Sequence, residues 1–411
     1  MDWFGRAKIK YTHHVSPLSL KEKDGTETDL LKICEESTPP CQLNPLLFNG
    51  HLQTMWTAAA KEAPHIFYKR KIFDADHHTY TGTFAVDFVT PPHLEHDISL
   101  PPRTAYLQPG EFEALGSEDT KPMLIVLHGL SGGSYEVYLR HAIAPLVLDG
   151  GDWECCVVNS RGCANSEVTS GVLFNARATW DVRQVVKWAK KAFPNRPLFG
   201  LGFSLGANIL TNFVGEEGSN CLLSAAVVVG NPFNLEIANG QLKSSFFGKE
   251  VYQRVMGTNL KKLIMRHKDA VLKYTKLDYD AIQKITYLHE FDREVQDASS
   301  SDSVLAIRIP YLAIQATDDP IAVEDAIPYQ EFKTNPYTVC LTTSLGGHLA
   351  FFEIGGGRWH AKPVSNFLRN MATKIDLISL GHEVNGATVA KPQYGANFDP
   401  MRRRMHIAAV E

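Results

Sequence analysis

The residues best equipped for chemistry begin with a serine. Residues 202–206 read GFSLG, so Ser204 stands between Gly202 and Gly206. The apolar run PLFGLGF leads into it and the helix-like run LGANILTNFV leads out. A strand that turns sharply into a helix exposes such a hydroxyl at the rim of a sheet, as a strained nucleophile elbow does. Small residues suit both flanks because the turn presses backbone against backbone. The bare G-x-S-x-G pattern arises by chance often enough that its context carries the weight. The competing account is a serine that merely starts a helix.

A serine hydroxyl attacks only when a base takes its proton and an acid orients the base. After an elbow of this kind the partners follow in the order Asp or Glu, then His, each just past a late strand. Here QATDDPIAV and SLGGHLAFF supply them in that order. Of the histidines beyond Asp319, namely His348, His360, His382 and His406, only His348 ends a strand behind two glycines. Asp318 and Asp319 compete for the acid role. Asp319-Pro-Ile-Ala-Val fits the turn spacing better, which leaves Asp318 as a turn or capping group.

A developing oxyanion needs donors. HGLSGGSYEVY follows an apolar strand and opens a helix, where exposed backbone N–H groups favour negative charge. We assign that role to the amides of Leu130 and Leu205. A phosphate-binding loop is the rival, but the Gly-Lys-Ser/Thr ending is missing. His128 reads as a structural loop residue. The pairs His77-His78 and His93-x-x-His96-Asp97 lack a supporting helix and a third ligand, so they read as surface groups. No cofactor and no metal is expected.

The elements that must hold these groups are legible as a series. PMLIVLHG, WECCVVNSRG, PLFGLGFS, LLSAAVVVGNPF, IPYLAIQATDD and YTVCLTTSLGGH are continuous apolar strands, separated mostly by helical periodicity. That is an α/β pattern, a mostly parallel central sheet with helices on both faces. HIFYKRKIF and YTGTFAVDFV alternate like a half-buried hairpin. Residues 90–121 are rich in proline and polar groups and read as a long surface loop. The division expected is an amino-terminal arm over 1–60, a core over 61–232 and 304–375, a helical cap insert over 233–303 and a tail over 376–411.

The chain has 411 residues, 44% hydrophobic, with 41 Lys plus Arg against 45 Asp plus Glu and a net charge of −4. A large core is available, and nothing in the charge favours nucleic acid as a partner. Seven cysteines without scaffold spacing suit a reducing compartment, with a Cys34–Cys41 disulfide the weaker reading. The start of the chain lacks the apolar centre of a signal peptide, and no stretch approaches the length of a membrane span. A cytoplasmic protein is expected.

NPLLFNGHLQTMW, LHGLSGGSYEVYLR, VVNSRGCANSEVTSGVLFNARATWDVR, GFSLGAN and ATDDPI, in that order, resemble the AB hydrolase 4 family of the α/β-hydrolase superfamily over about residues 40–375. The resemblance implies an α/β-hydrolase fold and a serine esterase or acyltransferase acting on acyl esters. That family includes medium-chain fatty acid ethyl ester synthase/esterases, so acyl-CoA as donor and a small alcohol as acceptor are expectations too. Alternatives are a lipase or phospholipase, a thioesterase, or a silent binding protein on the same fold.

Residues 241–276 of the cap hold nine Lys or Arg against Glu250 and Asp269. A basic outer face there would suit coenzyme A phosphates, or peripheral contact with a membrane or lipid droplet. A solvated helix surface explains it equally well. Phe246, Phe247, Val251, Tyr252, Val255, Leu260 and Leu263 are expected to face inward, as pocket lining or cap packing. Asn44, His51 and Gln53 are read as anchors of the arm, and Asn159 and Arg161 as anchors of the arm or loop.

Overall fold

Strands buried on both faces cannot alternate, and the continuous apolar runs do form the centre of the sheet. A computed structural model describes residues 3–95, 97–148, 151–275, 279–290 and 298–380. Twelve strands are present among them: β1 (Ile9–His13), β2 (Ser19–Lys21), β3 (Glu27–Asp29), β4 (Phe67–Asp74), β5 (Thr83–Thr90), β6 (Thr104–Tyr106), β7 (Met123–Leu127), β8 (Glu154–Asn159), β9 (Leu198–Phe203), β10 (Leu223–Val229), β11 (Tyr311–Ala316) and β12 (Thr338–Thr343). Ten of them form one sheet in the order β1-β12-β11-β10-β9-β7-β8-β5-β4-β6, while β2 and β3 pair separately.

From β8 to β12 every neighbouring pair is parallel. The chain steps from β7 to β8 on one side and then back past β7 to β9. The carboxyl ends of β7 and β9 therefore border the point where the winding reverses, the usual place for a site in an open α/β sheet.

Helices cover both faces. α1 (Leu30–Ser37), α3 (Val137–Val147) and α11 (Ala361–Thr373) pack together on one. α4 (Thr179–Ala192) and α5 (Leu205–Glu217) pack together on the other. α2 (Gly50–Trp56) lies in the arm and α10 (Tyr329–Thr334) precedes β12. Between β10 and β11 come α6 (Leu235–Ser244), a π-helical turn (Gly248–Gln253), α7 (Arg254–Arg266), α8 (Lys268–Tyr274) and α9 (Tyr279–Lys284). No described helix is long and apolar enough to cross a membrane.

Two sequence expectations need correction. Residues 1–60 are more than an arm, since β1 joins the core sheet as an edge strand antiparallel to β12. Residues 90–121 are more than a loop, because β6 pairs parallel with β4 at the opposite edge. Both strands are short edge strands, where one partner suffices and no apolar run is needed. All seven cysteines are buried, and Cys34 and Cys41 are not joined in a disulfide. Of the tail, residues 381–411 with His382 and His406 lie outside the described residues, as does His96.

The turn after β9 explains its glycines. A Cβ on Gly202 would sit 2.7 Å from Ala207 Cα, and one on Gly206 would sit 2.5 Å from the carbonyl oxygens of both Leu127 and His128. Backbone cannot yield as a side chain can. Gly206→Ala is therefore expected to destabilise the fold by about 3 kcal/mol or more. Urea denaturation checks this, and an unchanged midpoint would contradict the close packing of β7 and α5.

Candidate active site

Ser204 is the residue between β9 and α5, and its backbone is strained, with φ 51° and ψ −117°. Such a conformation costs energy in a non-glycine residue and persists only where the surroundings enforce it. Here the Ser204 N–H donates to Val229 O at 3.0 Å and its carbonyl accepts from Asn208 N at 3.1 Å.

The structure brings the three separated side chains together. Ser204 Oγ lies 2.8 Å from His348 Nε2, and Asp319 Oδ2 lies 2.9 Å from His348 Nδ1. The other carboxylate oxygen of Asp319, Oδ1, accepts the amides of Ile321 and Ala322 at 2.8 and 2.9 Å. Asp319 is buried. With both oxygens engaged, its carboxylate is fixed in direction, and the ring it faces is fixed with it.

Asp318 turns elsewhere. Its Oδ1 accepts the Gly347 amide at 2.9 Å, while Oδ2 is buried without a partner among the described residues. Burial, opposed by the backbone amides and assisted by the Asp319 charge, pushes its carboxyl up to about 6.

Leu130 and Leu205 border the same cavity as Ser204. The preceding amide, Gly129 N–H, is already taken by Tyr138 Oη at 2.8 Å. His128 lies behind this loop. Its Nε2 faces the Ser160 amide at 3.0 Å and so accepts, which leaves Nδ1–H to donate to Gly129 O at 2.7 Å. Burial holds its imidazole down to about 4, so it is neutral at ordinary pH.

Support for His348 and the segment after it comes from the arm. Thr54 Oγ1 on α2 accepts the His348 amide at 2.9 Å and donates to Gly50 O at 2.6 Å. Gln53 takes the Phe352 amide and donates to Leu47 O, so the arm grips the segment after His348 from both sides. Gly50 must be glycine, since a Cβ there would meet Asp318 O at 1.8 Å. Asn44 contributes through its backbone amide to Phe352 O.

Asn159 and Arg161 anchor loops. Asn159 donates to Asp87 Oδ2 and accepts the Ser134 amide. Asp87 also takes two hydrogen bonds from Arg70 and one from Ser134 Oγ, a fully buried network behind the glycine loop 131–134. Arg161 is held by both oxygens of Asp181. Only the register could have found the first pair, because Arg70 and Asp87 face each other directly across β4 and β5.

A cavity of about 350 Å³ opens beside Ser204. Met256, Leu260 and Leu263 face it from α7 at spacings of four and three, the repeat of one helical face. Leu235, Ala238 and Leu242 do the same from α6. The inward face expected of the cap is thus only partly right. Leu260 and Leu263 line the cavity and Tyr252 is buried, but Phe246, Phe247 and Val255 are exposed.

The family model described as the alpha/beta hydrolase fold matches residues 122–353. A monoacylglycerol lipase of Saccharomyces cerevisiae is 34% identical, covering 84% of this chain and 84% of its own. The medium-chain fatty acid ethyl ester synthase/esterase 2 of the same yeast is 30% identical, covering 82% and 86%. An embryogenesis-associated protein of Picea glauca is 31% identical, covering 81% and 72%. The reversal point, the elbow after β9 and these extended likenesses lead to one conclusion: this chain belongs to the alpha/beta hydrolase family.

Proposed function

We propose that this protein hydrolyses lipid-like acyl esters through an acyl-serine intermediate. The observation that carries this reading is the continuous hydrogen-bond chain Ser204–His348–Asp319 at the edge of an apolar cavity. Ser204 Oγ attacks the acyl carbonyl carbon as His348 Nε2 takes its proton. The Asp319 carboxylate accepts Nδ1–H throughout and stabilises the imidazolium that forms. The amides of Leu130 and Leu205 receive the oxyanion. Collapse breaks the ester C–O bond, and His348 returns its proton to the leaving alcohol. Water, deprotonated by the same ring, then releases the carboxylic acid and regenerates the serine.

An apolar cavity of this size accommodates an alkyl chain and offers little to a charged peptide. The monoacylglycerol lipase and the ethyl ester synthase/esterase among the relatives support an acyl ester with a small alcohol. If an alcohol replaces water in the second half, the same residues make an ester, from acyl-CoA among other donors.

The test is a panel of monoacylglycerols, p-nitrophenyl esters of stepped chain length and acyl-CoAs, each with and without ethanol. Hydrolysis of the esters supports the reading. No turnover of any ester, together with no labelling by a fluorophosphonate, overturns it. Thr54→Val removes the acceptor for the His348 amide while keeping the shape. It is expected to lower kcat about tenfold with little change in KM, the cost of one lost buried hydrogen bond at a reacting group.

A further inference from the structure

Apolar residues that a fold leaves in water gather meaning when they cluster. Four of the exposed large hydrophobic residues lie in or beside α2, namely Leu46, Phe48, Met55 and Trp56, with Phe48 70% exposed. Two more, Phe246 and Phe247, precede the π-helical turn of the cap, with Phe246 75% exposed. The two segments are about two hundred residues apart in the chain but adjacent in space. The His51 ring lies 5.3 Å from the Phe247 ring, and His51 Nδ1 is 2.9 Å from Tyr252 Oη. Phe246 and Phe247 meet edge to face at 6.0 Å.

The charge around this patch is mainly positive, with Glu62 exposed beside Lys61 and Glu250 paired with Arg254 at 3.8 Å. From 243 to 262 the cap carries Lys243, Lys249, Arg254, Lys261 and Lys262 against the single acid Glu250. Lys243, Lys249 and Arg254 are exposed, as is Lys61 beyond α2. Aromatic rings bordered by lysine and arginine match a lipid interface, where rings enter the headgroup layer and cations meet anionic headgroups. A second copy of the chain matches poorly, because a two-fold contact on this patch would set the same cations against each other.

We propose that α2 and the start of the cap form a docking face for an anionic phospholipid bilayer. The inference rests on the lipid-ester reading for its purpose, since the docked face would bring the enzyme to its substrate. It is also mechanically close to the site, because α2 carries Thr54, which holds the His348 amide.

The experiment uses the full chain with Ser204→Ala, so that binding is read without turnover. Sedimentation with vesicles of phosphatidylcholine and phosphatidylserine at about 7:3 should capture it, and vesicles of phosphatidylcholine alone should capture several-fold less. Adding Phe48→Ser, Phe246→Ser and Phe247→Ser should lower the partition by about tenfold or more. Trp56 emission should shift to the blue on mixed vesicles, a shift absent in Trp56→Phe. With Ser204 restored, the triple variant should hydrolyse a soluble p-nitrophenyl ester within about twofold of wild type, because no substituted residue lines the cavity. Equal partition of the triple variant overturns the proposal. So does a dimer in sedimentation velocity that the three substitutions dissolve. A wild type that binds vesicles but hydrolyses nothing would refute the proposed function and leave the docking face standing.

Discussion

Replacing Ser204 by alanine is expected to lower kcat for ester hydrolysis by about 10⁴- to 10⁶-fold, with the folded structure intact. The size follows from what remains. His348 keeps its place on Asp319, and Leu130 and Leu205 still border the cavity, but no covalent intermediate can form. Attack must then come from water that no group holds in place. The same variant should lose all labelling by a fluorophosphonate, because that reagent needs the oxygen that is gone. Removing the hydroxyl also relieves nothing in the backbone, since φ 51° at residue 204 belongs to the turn and not to the side chain. Thermal stability should therefore stay within about 1 kcal/mol of wild type. Steady-state rates on a p-nitrophenyl ester, with a melting curve beside them, check both halves. Wild-type rates in Ser204→Ala would remove the acyl-serine mechanism altogether.

What could be read from the sequence follows from how strongly each element is buried. β7 and β9 have every residue buried, so they read as unbroken apolar runs. β1, with only Thr12 buried, leaves no such trace, yet it pairs over five residues with β12. The candidate site divides in the same way. The order of serine, aspartate and histidine, each past a strand end, is a property of the chain and could be read directly. The polar groups that brace them come singly from distant segments. Thr54, Tyr138 and Asp87 each look ordinary until the fold places them.

The cap misled for a physical reason. Val255 falls about 100° round α7 from Met256, which lines the cavity, and so points away from it. Phe246 and Phe247 are separated from α7 by the π-helical turn at Gly248–Gln253, so the cavity face of α7 does not continue to them. Phe246 and Phe247 end up outside, where they have a different use.

The two neighbouring aspartates should separate cleanly when each is made asparagine. In Asp319→Asn the amide has only one comfortable orientation. Its oxygen must stay where Oδ1 is, because the amides of Ile321 and Ala322 both donate there. The NH₂ group then points at His348 Nδ1, which must become an acceptor. The ring proton moves to Nε2, facing the Ser204 hydroxyl, and the base can no longer take a proton. A loss of about 10⁴-fold in kcat is expected, the cost of the wrong tautomer in unchanged geometry. In Asp318→Asn the oxygen still receives the Gly347 amide, and His348 is untouched, so kcat should stay within about threefold.

Stability should move instead. Burial raises the Asp318 carboxyl to about 6, above its value of about 3.9 in the unfolded chain. Between those values the unfolded chain has lost a proton that the folded chain keeps, so wild-type stability falls as pH rises from about 4 to 6 and stays lowered beyond. Asparagine carries no such charge. Asp318→Asn should thus equal wild type near pH 4 and exceed it by about 3 kcal/mol at most above pH 7, read as urea midpoints at the two pH values. A variant that lost activity at 318 and kept it at 319 would exchange the two roles. A stability difference independent of pH would mean that the folded and unfolded chains lose this proton over the same range, so that burial does not penalise the charge.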